Sequence, residues 1–130
     1  MKKKILILAS VLTLNVLLFT GCIAALVAGA AVGAGAVAYK GGELIATESA
    51  SMDKTWSATE KAFKELQLLG EAKEKDALAA RMEATGAGSK RIVVKLRNQG
   101  DKLTEVRIRV GIFGDEGYSR KILEKIKSHL

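Results

Sequence analysis

The stretch RIVVKLRNQGDKLTEVRIRVGIF, Arg91 to Phe113, decides the fold, because two apolar sets in it recur with a period of two. Ile92, Val94 and Leu96 share one side of RIVVKLR (91–97). Val106, Ile108, Val110 and Ile112 share one side of LTEVRIRVGIF (103–113). Alternation of this kind marks strands with one buried face. Both sets must face the core, and facing residues must share a side of the sheet. A two-residue Gln99-Gly100 loop would pair Val94 with Glu105, which breaks that rule. An odd-length loop repairs it, so Asn98-Gln99-Gly100 is expected as a three-residue turn with Gly100 left-handed and Arg97 opposite Asp101.

C-terminal to this hairpin, Asp115 is placed to cap a helix through EGYSRKILEKIKSHL. Ile122, Leu123, Ile126 and Leu130 form its apolar stripe, and Lys125 and Lys127 suit its C-terminal end. N-terminal to it, EKDALAARMEAT (74–85) puts Leu78, Ala80, Met82 and Ala84 on one face and is read as a strand closed by GAGS. Earlier still, Ser51 offers an N-cap and Asp53 favours the positive end of a helix. Its stripe runs Met52, Trp56, Phe63, Leu66 and Leu69, and Gly70 ends it. ELIATESA (43–50) reads as a short strand. The order is β-α-β-β-β-α. That order predicts an α+β two-layer sandwich, an antiparallel sheet of about four strands with both helices on one face.

Residues 1–22 carry three zones of different chemistry. MKKK is a positive leader end, and ILILASVLTLNVLLF is an apolar core of 15 residues, right for a signal segment and short for a span. Thr20 and Gly21 are small residues before Cys22, the only cysteine of the chain. This resembles the bacterial lipoprotein signal, with Phe19 where leucine is usual. The resemblance implies cleavage before Cys22, a thioether from its thiol to diacylglycerol, and a freed amine open to acylation. Membrane lipid is thus the first expected partner, with multiple acyl chains giving stable anchoring. Ile23 after the cysteine is not an aspartate retention signal, so the outer membrane is favoured, with the domain in the periplasm.

The next piece, IAALVAGAAVGAGAVAY, is 17 residues of almost only small or apolar side chains. Gly29 and Gly33 form a GxxxG pair that lets two helices approach closely, so self-association is one expectation. A flexible tether, weakened as a helix by its glycines, is a second, and a true span is a third. The domains are then 1–21 signal peptide, 22–42 lipidated cysteine and Ala/Gly-rich anchor or tether, and 43–130 folded unit.

The 130 residues carry a formal charge of +7, which overstates the mature form: without Lys2, Lys3 and Lys4, 18 basic residues face 14 acidic ones. Such an excess favours anionic surfaces only where it clusters. It does so on the strand faces turned away from the helices, where Arg91, Lys95, Arg97, Arg107 and Arg109 lie, interrupted by Val93 and Glu105. These residues suit lipid phosphates, a glycolipid or an acidic partner. The plainer reading is a solvated sheet face partly neutralised by Glu83, Glu105 and Asp101. In GIFGDEGY (111–118), Phe113 and Tyr118 sit among glycines, either as a contact loop or as a tight turn with Phe113 tucked against the helix.

The sequence points away from catalysis. His129, the only histidine, is one residue from the end. With Cys22 acylated, no Cys/His cluster remains for zinc or another metal. No nucleophile elbow or phosphate loop is present, and no cofactor is implied. Nucleic acid is disfavoured by the compartment and by the lack of aromatics on the basic face.

DKTWSATEKAFKELQLLG, the run from Ile92 to Ile126 and the lipobox together resemble a group of short bacterial lipoproteins classed only as a domain of unknown function. Its most specific motif is T-E-V-x-I-R-V-G-x-F-G-D, here Thr104 to Asp115. The resemblance implies the same lipid-anchored α+β unit and no reaction. More loosely, the element order is similar to the helix-grip domains of lipoproteins that accompany outer-membrane protein assembly, a likeness of fold alone. The expected function is a membrane-anchored binding or structural domain engaging an envelope protein. The alternative is a module for anionic lipid or glycolipid.

Overall fold

A computed structural model describes residues 1–4 and 35–130, of which 35–130 belong to one folded unit. Cys22, Thr20, Gly21, Gly29 and Gly33 lie outside the described residues. The elements are β1 (Val37–Lys40), β2 (Glu43–Glu48), α1 (Met52–Glu65), β3 (Leu69–Lys75), β4 (Ala79–Thr85), β5 (Arg91–Gly100), β6 (Leu103–Val110) and α2 (Glu116–Lys127). All strand pairs are antiparallel, in the spatial order β1-β2-β6-β5-β4-β3.

The α+β class with an antiparallel sheet stands, but the described residues hold six strands where about four were expected. The first extra strand, β1, falls in the segment read as tether. Gly41 and Gly42 have φ of +60° and +83°, and Lys40 pairs with Glu43. That is a two-residue hairpin loop with both central residues left-handed, which two glycines adopt without strain. The second extra strand, β3, covers the end expected of the first helix and runs into the start of the strand expected at 74–85. That segment turns at Asp76, whose Oδ1 accepts from the Leu78 and Ala79 amides at 2.7 and 2.8 Å. Leu78 therefore stands in a turn, 72% exposed, instead of on the buried face.

Helix α1 begins where expected. Ser51 Oγ accepts from the Lys54 amide at 3.3 Å. It ends earlier than Gly70. Leu68 N–H donates to the Phe63 carbonyl (2.9 Å) and Gln67 N–H to the Lys64 carbonyl (3.1 Å). Gln67 takes φ +54°, so this is a Schellman closure with glutamine in the place glycine usually fills. The buried stripe also differs. Met52 and Phe63 are buried as expected, but Thr55, Ala58, Thr59 and Ala62 fill the rest. Trp56 and Leu66 lie at its margin, and Leu69 is exposed in β3. The two threonine hydroxyls donate to the Ser51 and Thr55 carbonyls at 2.9 and 2.8 Å, which removes the penalty for burying them.

The core lies between the helices and one sheet face. Across the four central strands Leu44 faces Ile108, Ile108 faces Val94, and Val94 faces Met82. Each of these is at most 1% exposed. Ala58, Ala62 and Phe63 of α1 and Ile122, Leu123 and Ile126 of α2 close over this row. The α2 stripe is thus as expected, and Leu130 packs at its edge.

The β5–β6 hairpin keeps the parity argued from sequence but not the loop. Val94 pairs with Ile108 and Leu96 with Val106, so both apolar sets share the core side. Arg97 faces Glu105, not Asp101, and pairing runs on to Gly100 opposite Leu103. The odd residue is absorbed by a bulge at Gln99, beside which Asn98 Oδ1 accepts from the Gly100 amide at 2.9 Å. At the other end β6 stops at Val110. Gly111 turns with φ +72°, which leaves Ile112 82% exposed instead of on the buried face.

Candidate functional site

The sheet face turned away from the helices carries its charges in register. Arg107 pairs with Lys95 and Lys95 with Arg81, three cations directly opposite one another on adjacent strands. Like charges so placed repel, and carboxylates on the diagonals offset them. Glu43 reaches Lys95 at 3.1 Å and Arg107 at 3.8 Å, and Glu105 holds Arg107 at 2.7 Å. The Glu105 carboxylate also raises the Arg107 pKa further above its ordinary value.

Glu83, with a side chain 11% exposed, serves two guanidinium groups at once. Arg81 Nε donates to its Oε1 at 2.6 Å and Arg91 Nε to its Oε2 at 3.0 Å, with a further bond from Arg91 Nη2. The bonds from Arg91, then those from Arg81, hold the Glu83 carboxyl below its usual range against the opposing effect of burial. A carboxyl whose pKa is lowered on folding contributes stability above its unfolded pKa and loses it as pH falls through the folded value. Acidification below about pH 4 is therefore expected to destabilise the protein. Glu83→Gln, followed by thermal melts across pH, is expected to flatten that loss. A slope identical to wild type would contradict this role for Glu83.

At one end of the face, two loops from distant parts of the chain are pressed together. Arg109 donates from Nη1 to the Gly41 carbonyl (3.1 Å) and from Nη2 to the Ile112 carbonyl (2.6 Å). The β1–β2 turn thereby meets the 111–114 loop backbone to backbone. A side chain on Gly42 would come within 2.7 Å of the Phe113 carbonyl oxygen, and one on Gly114 would overlap Gly42 itself. Beside this clasp opens a groove of about 700 Å³. Arg81, Lys90, Arg91 and Arg109 line it together with Ile112 and Phe113. Lys90 Nζ lies 3.1 Å from Asp115 Oδ2, and Asp115 also caps α2 by accepting from the Tyr118 amide at 2.9 Å. Those two bonds, the amide first, lower the Asp115 pKa.

Lys95, Arg97, Arg107 and Arg109 all lie on the open face, as expected, with Arg91. Only Arg91 and Arg109 reach the groove. Arg97, Lys95 and Arg107 line a smaller depression of about 280 Å³ toward the β5–β6 hairpin. Phe113 is 90% exposed, so it is not tucked against the helix. Tyr118 parts company with it and packs against the core from α2. As neutralisers, Glu83 and Glu105 act as expected, while Glu43 takes the part assigned to Asp101. Sequence reasoning did not place Arg81, Lys90 or Ile112 in the site. The alternation of Arg81 with Met82 was the available signal for the first. Nothing local announces the other two.

His129 is drawn in more closely than an end residue suggests. Its Nε2 lies 3.0 Å from Glu65 Oε1, and Lys125 Nζ lies 3.1 Å from Glu65 Oε2, joining the C-terminal ends of both helices. Among the described residues no cluster of three or more His, Cys, Asp or Glu side chains is placed to hold a metal, and no helix is long and apolar enough to cross a membrane.

The fold and site define a class: a small α+β domain with an antiparallel sheet, one face under two helices and the other open and basic. The chain belongs to the family described as "Protein of unknown function (DUF3568)", whose model matches residues 4–129. That match spans the folded unit and most of the segment before it, in keeping with the family resemblance drawn from the sequence. A search of curated proteins returns no match to the chain.

Proposed function

We propose that the chain is a lipid-anchored protein of the bacterial cell envelope whose domain binds an envelope component through the groove end of its open sheet face, and is not an enzyme. The observation that carries the binding reading is the convergence at the groove. Four cations held in place by carboxylates or carbonyls stand beside two large apolar side chains that are almost fully exposed. Large apolar side chains grouped on the surface and rimmed by charge, rather than scattered singly, mark interaction sites. Against catalysis stands the position of His129, engaged by Glu65 at the helix ends and not among the groove-lining residues.

The anchoring half of the proposal rests on the sequence before Cys22. Acylated Cys22 tethers the domain in the periplasm, at the outer membrane since Ile23 follows, and residues up to 34 serve as anchor or tether. Gly29 and Gly33 offer a self-association contact within it. Metabolic labelling with a palmitate analogue, followed by membrane fractionation and a crosslinked pull-down, tests this. Wild-type chain is expected to carry the label, sediment with membranes and capture an envelope component. Cys22→Ser is expected to lose label and sedimentation. An unlabelled wild type, or a serine variant that stays membrane-bound to the same degree, would overturn the anchor.

A further inference from the structure

The groove has chemistry more specific than a basic patch. Glu83, itself outside the groove lining, holds the guanidinium groups of Arg81 and Arg91 at 2.6 and 3.0 Å. Arg109 spends two donors on the Gly41 and Ile112 carbonyls. A guanidinium has five donors, so each of these three retains some for a ligand. Lys90 adds a fourth cation, with Asp115 as its partner. Four positive groups thus share two carboxylates, and the excess charge is spread around one concave wall. Preformed forks of this kind suit phosphate better than carboxylate-poor surfaces of mobile lysines do.

The same groove has an apolar lip. Ile112 and Phe113 are 82% and 90% exposed, and neither belongs to the core. A loop tip that presents two such side chains beside fixed cations matches an amphiphile with an anionic head and hydrocarbon tails. A water-soluble phosphate would leave the lip bare. A tether also puts such a ligand within reach. Residues 23–36 separate Cys22 from β1 and span up to roughly 45 Å when extended, enough for the groove end to approach the bilayer that holds the anchor.

We infer that this groove binds an anionic membrane phospholipid, with its headgroup phosphate on Arg91, Arg109 and Lys90 and its apolar part against Ile112 and Phe113. This rests on the binding reading above and names the ligand for it. The domain then works close to the membrane surface, reading anionic lipid through a site distinct from its own acyl anchor.

The test uses the full chain with its anchor, purified in an uncharged detergent. Dioctanoyl phosphatidylglycerol, dioctanoyl phosphatidylcholine and inorganic phosphate are titrated separately, with binding read by native mass spectrometry and by the amide resonances of Gly111 and Gly114. The anionic lipid is expected to bind saturably and shift both resonances, at least about tenfold more tightly than the zwitterionic one. Phosphate alone is expected to leave the resonances unmoved at matched concentration. Ile112→Ser with Phe113→Ser removes only exposed apolar surface, and is expected to weaken binding by about tenfold or more while leaving the melting temperature in place. Lys90→Gln with Arg91→Gln is expected to abolish the preference for the anionic lipid. Arg97→Gln, on the same face outside the groove, is expected to change nothing.

Equal binding of the two lipids, or binding insensitive to both double variants, overturns the lipid inference. Phosphate binding as tightly as the lipid overturns it too, because the apolar lip would then contribute nothing. If the lipid arm fails but the same loop crosslinks to a protein in intact envelopes, the general binding reading survives without it. If neither is captured, both fall.

Discussion

Gly114→Ala is expected to lower stability by about 2–4 kcal/mol, because the β1–β2 turn and the 111–114 loop leave no room for a side chain. Gly114 has φ +87°, a conformation that costs an L side chain on the order of 1 kcal/mol or more. An added Cβ would also sit 2.5 Å from the Gly42 Cα and from Tyr39 Oη, and would overlap the Gly42 carbonyl oxygen. Backbone cannot step aside as a side-chain tip can, so the overlap adds about 1–3 kcal/mol. For a domain of this size the total corresponds to a melting temperature lower by roughly 8–30 °C. Gly111→Ala is the matched control. It shares the positive φ, at +72°, but nothing lies within 4 Å of its added Cβ. Its cost is expected near 1 kcal/mol. Equal losses from the two variants would mean that the 41–42 turn and the 111–114 loop do not press together.

Ile108→Ala is expected to cost about 2–5 kcal/mol, by lost apolar burial and by the cavity left between Leu44 and Val94. Ile108 is fully buried in the core beneath the helices, and its two cross-strand neighbours are fully buried as well. In a small domain with a total stability of about 5–10 kcal/mol, that loss approaches unfolding at physiological temperature. Leu78→Ala tests the same strand assignments from the other side. The alternation in 74–85 places Leu78 with Met82 in the core, whereas the turn at Asp76 leaves it 72% exposed. Chemical denaturation is therefore expected to find Leu78→Ala within about 0.5 kcal/mol of wild type. A cost like that of Ile108→Ala would restore the single long strand and remove β3 as a separate element.

Much of the fold was readable where periodicity and capping agree. Residues 91–97 and 103–110 alternate cleanly, Ser51 and Asp115 are side-chain caps, and the α2 stripe needs only the spacing of Ile122, Leu123 and Ile126. Errors arose where a helix end or turn forms without the glycine or proline that usually marks it. Gly70 looks like a helix stop, yet Gln67 takes the left-handed position and frees Leu69 to begin β3. Asp76 makes a turn with no glycine or proline to mark it. Gly41-Gly42, by contrast, was a legible hairpin signal between VAYK and ELIA, obscured by the apolar run before it.

The candidate site divides in the same way. Its basic face follows from side-chain alternation and could be named residue by residue. The groove could not, because it depends on Arg109 bonding a carbonyl 68 residues away at Gly41. It depends also on Lys90 meeting Asp115 across another 25. Alternation identifies which residues share a face. Only the assembled sheet determines which end of that face is concave, and which exposed side chains stand beside it.

The central claim, that this end of the open face is the docking surface, is tested most directly by site-specific photocrosslinking in intact envelopes. A photoreactive residue is placed at Phe113 in one strain and at Lys121, exposed on α2, in another, with the anchor intact in both. Phe113 is expected to give a discrete adduct that disappears when Lys90→Gln and Arg91→Gln are combined with it, while Lys121 gives none. No adduct at Phe113, or the same products from both positions, would contradict the account.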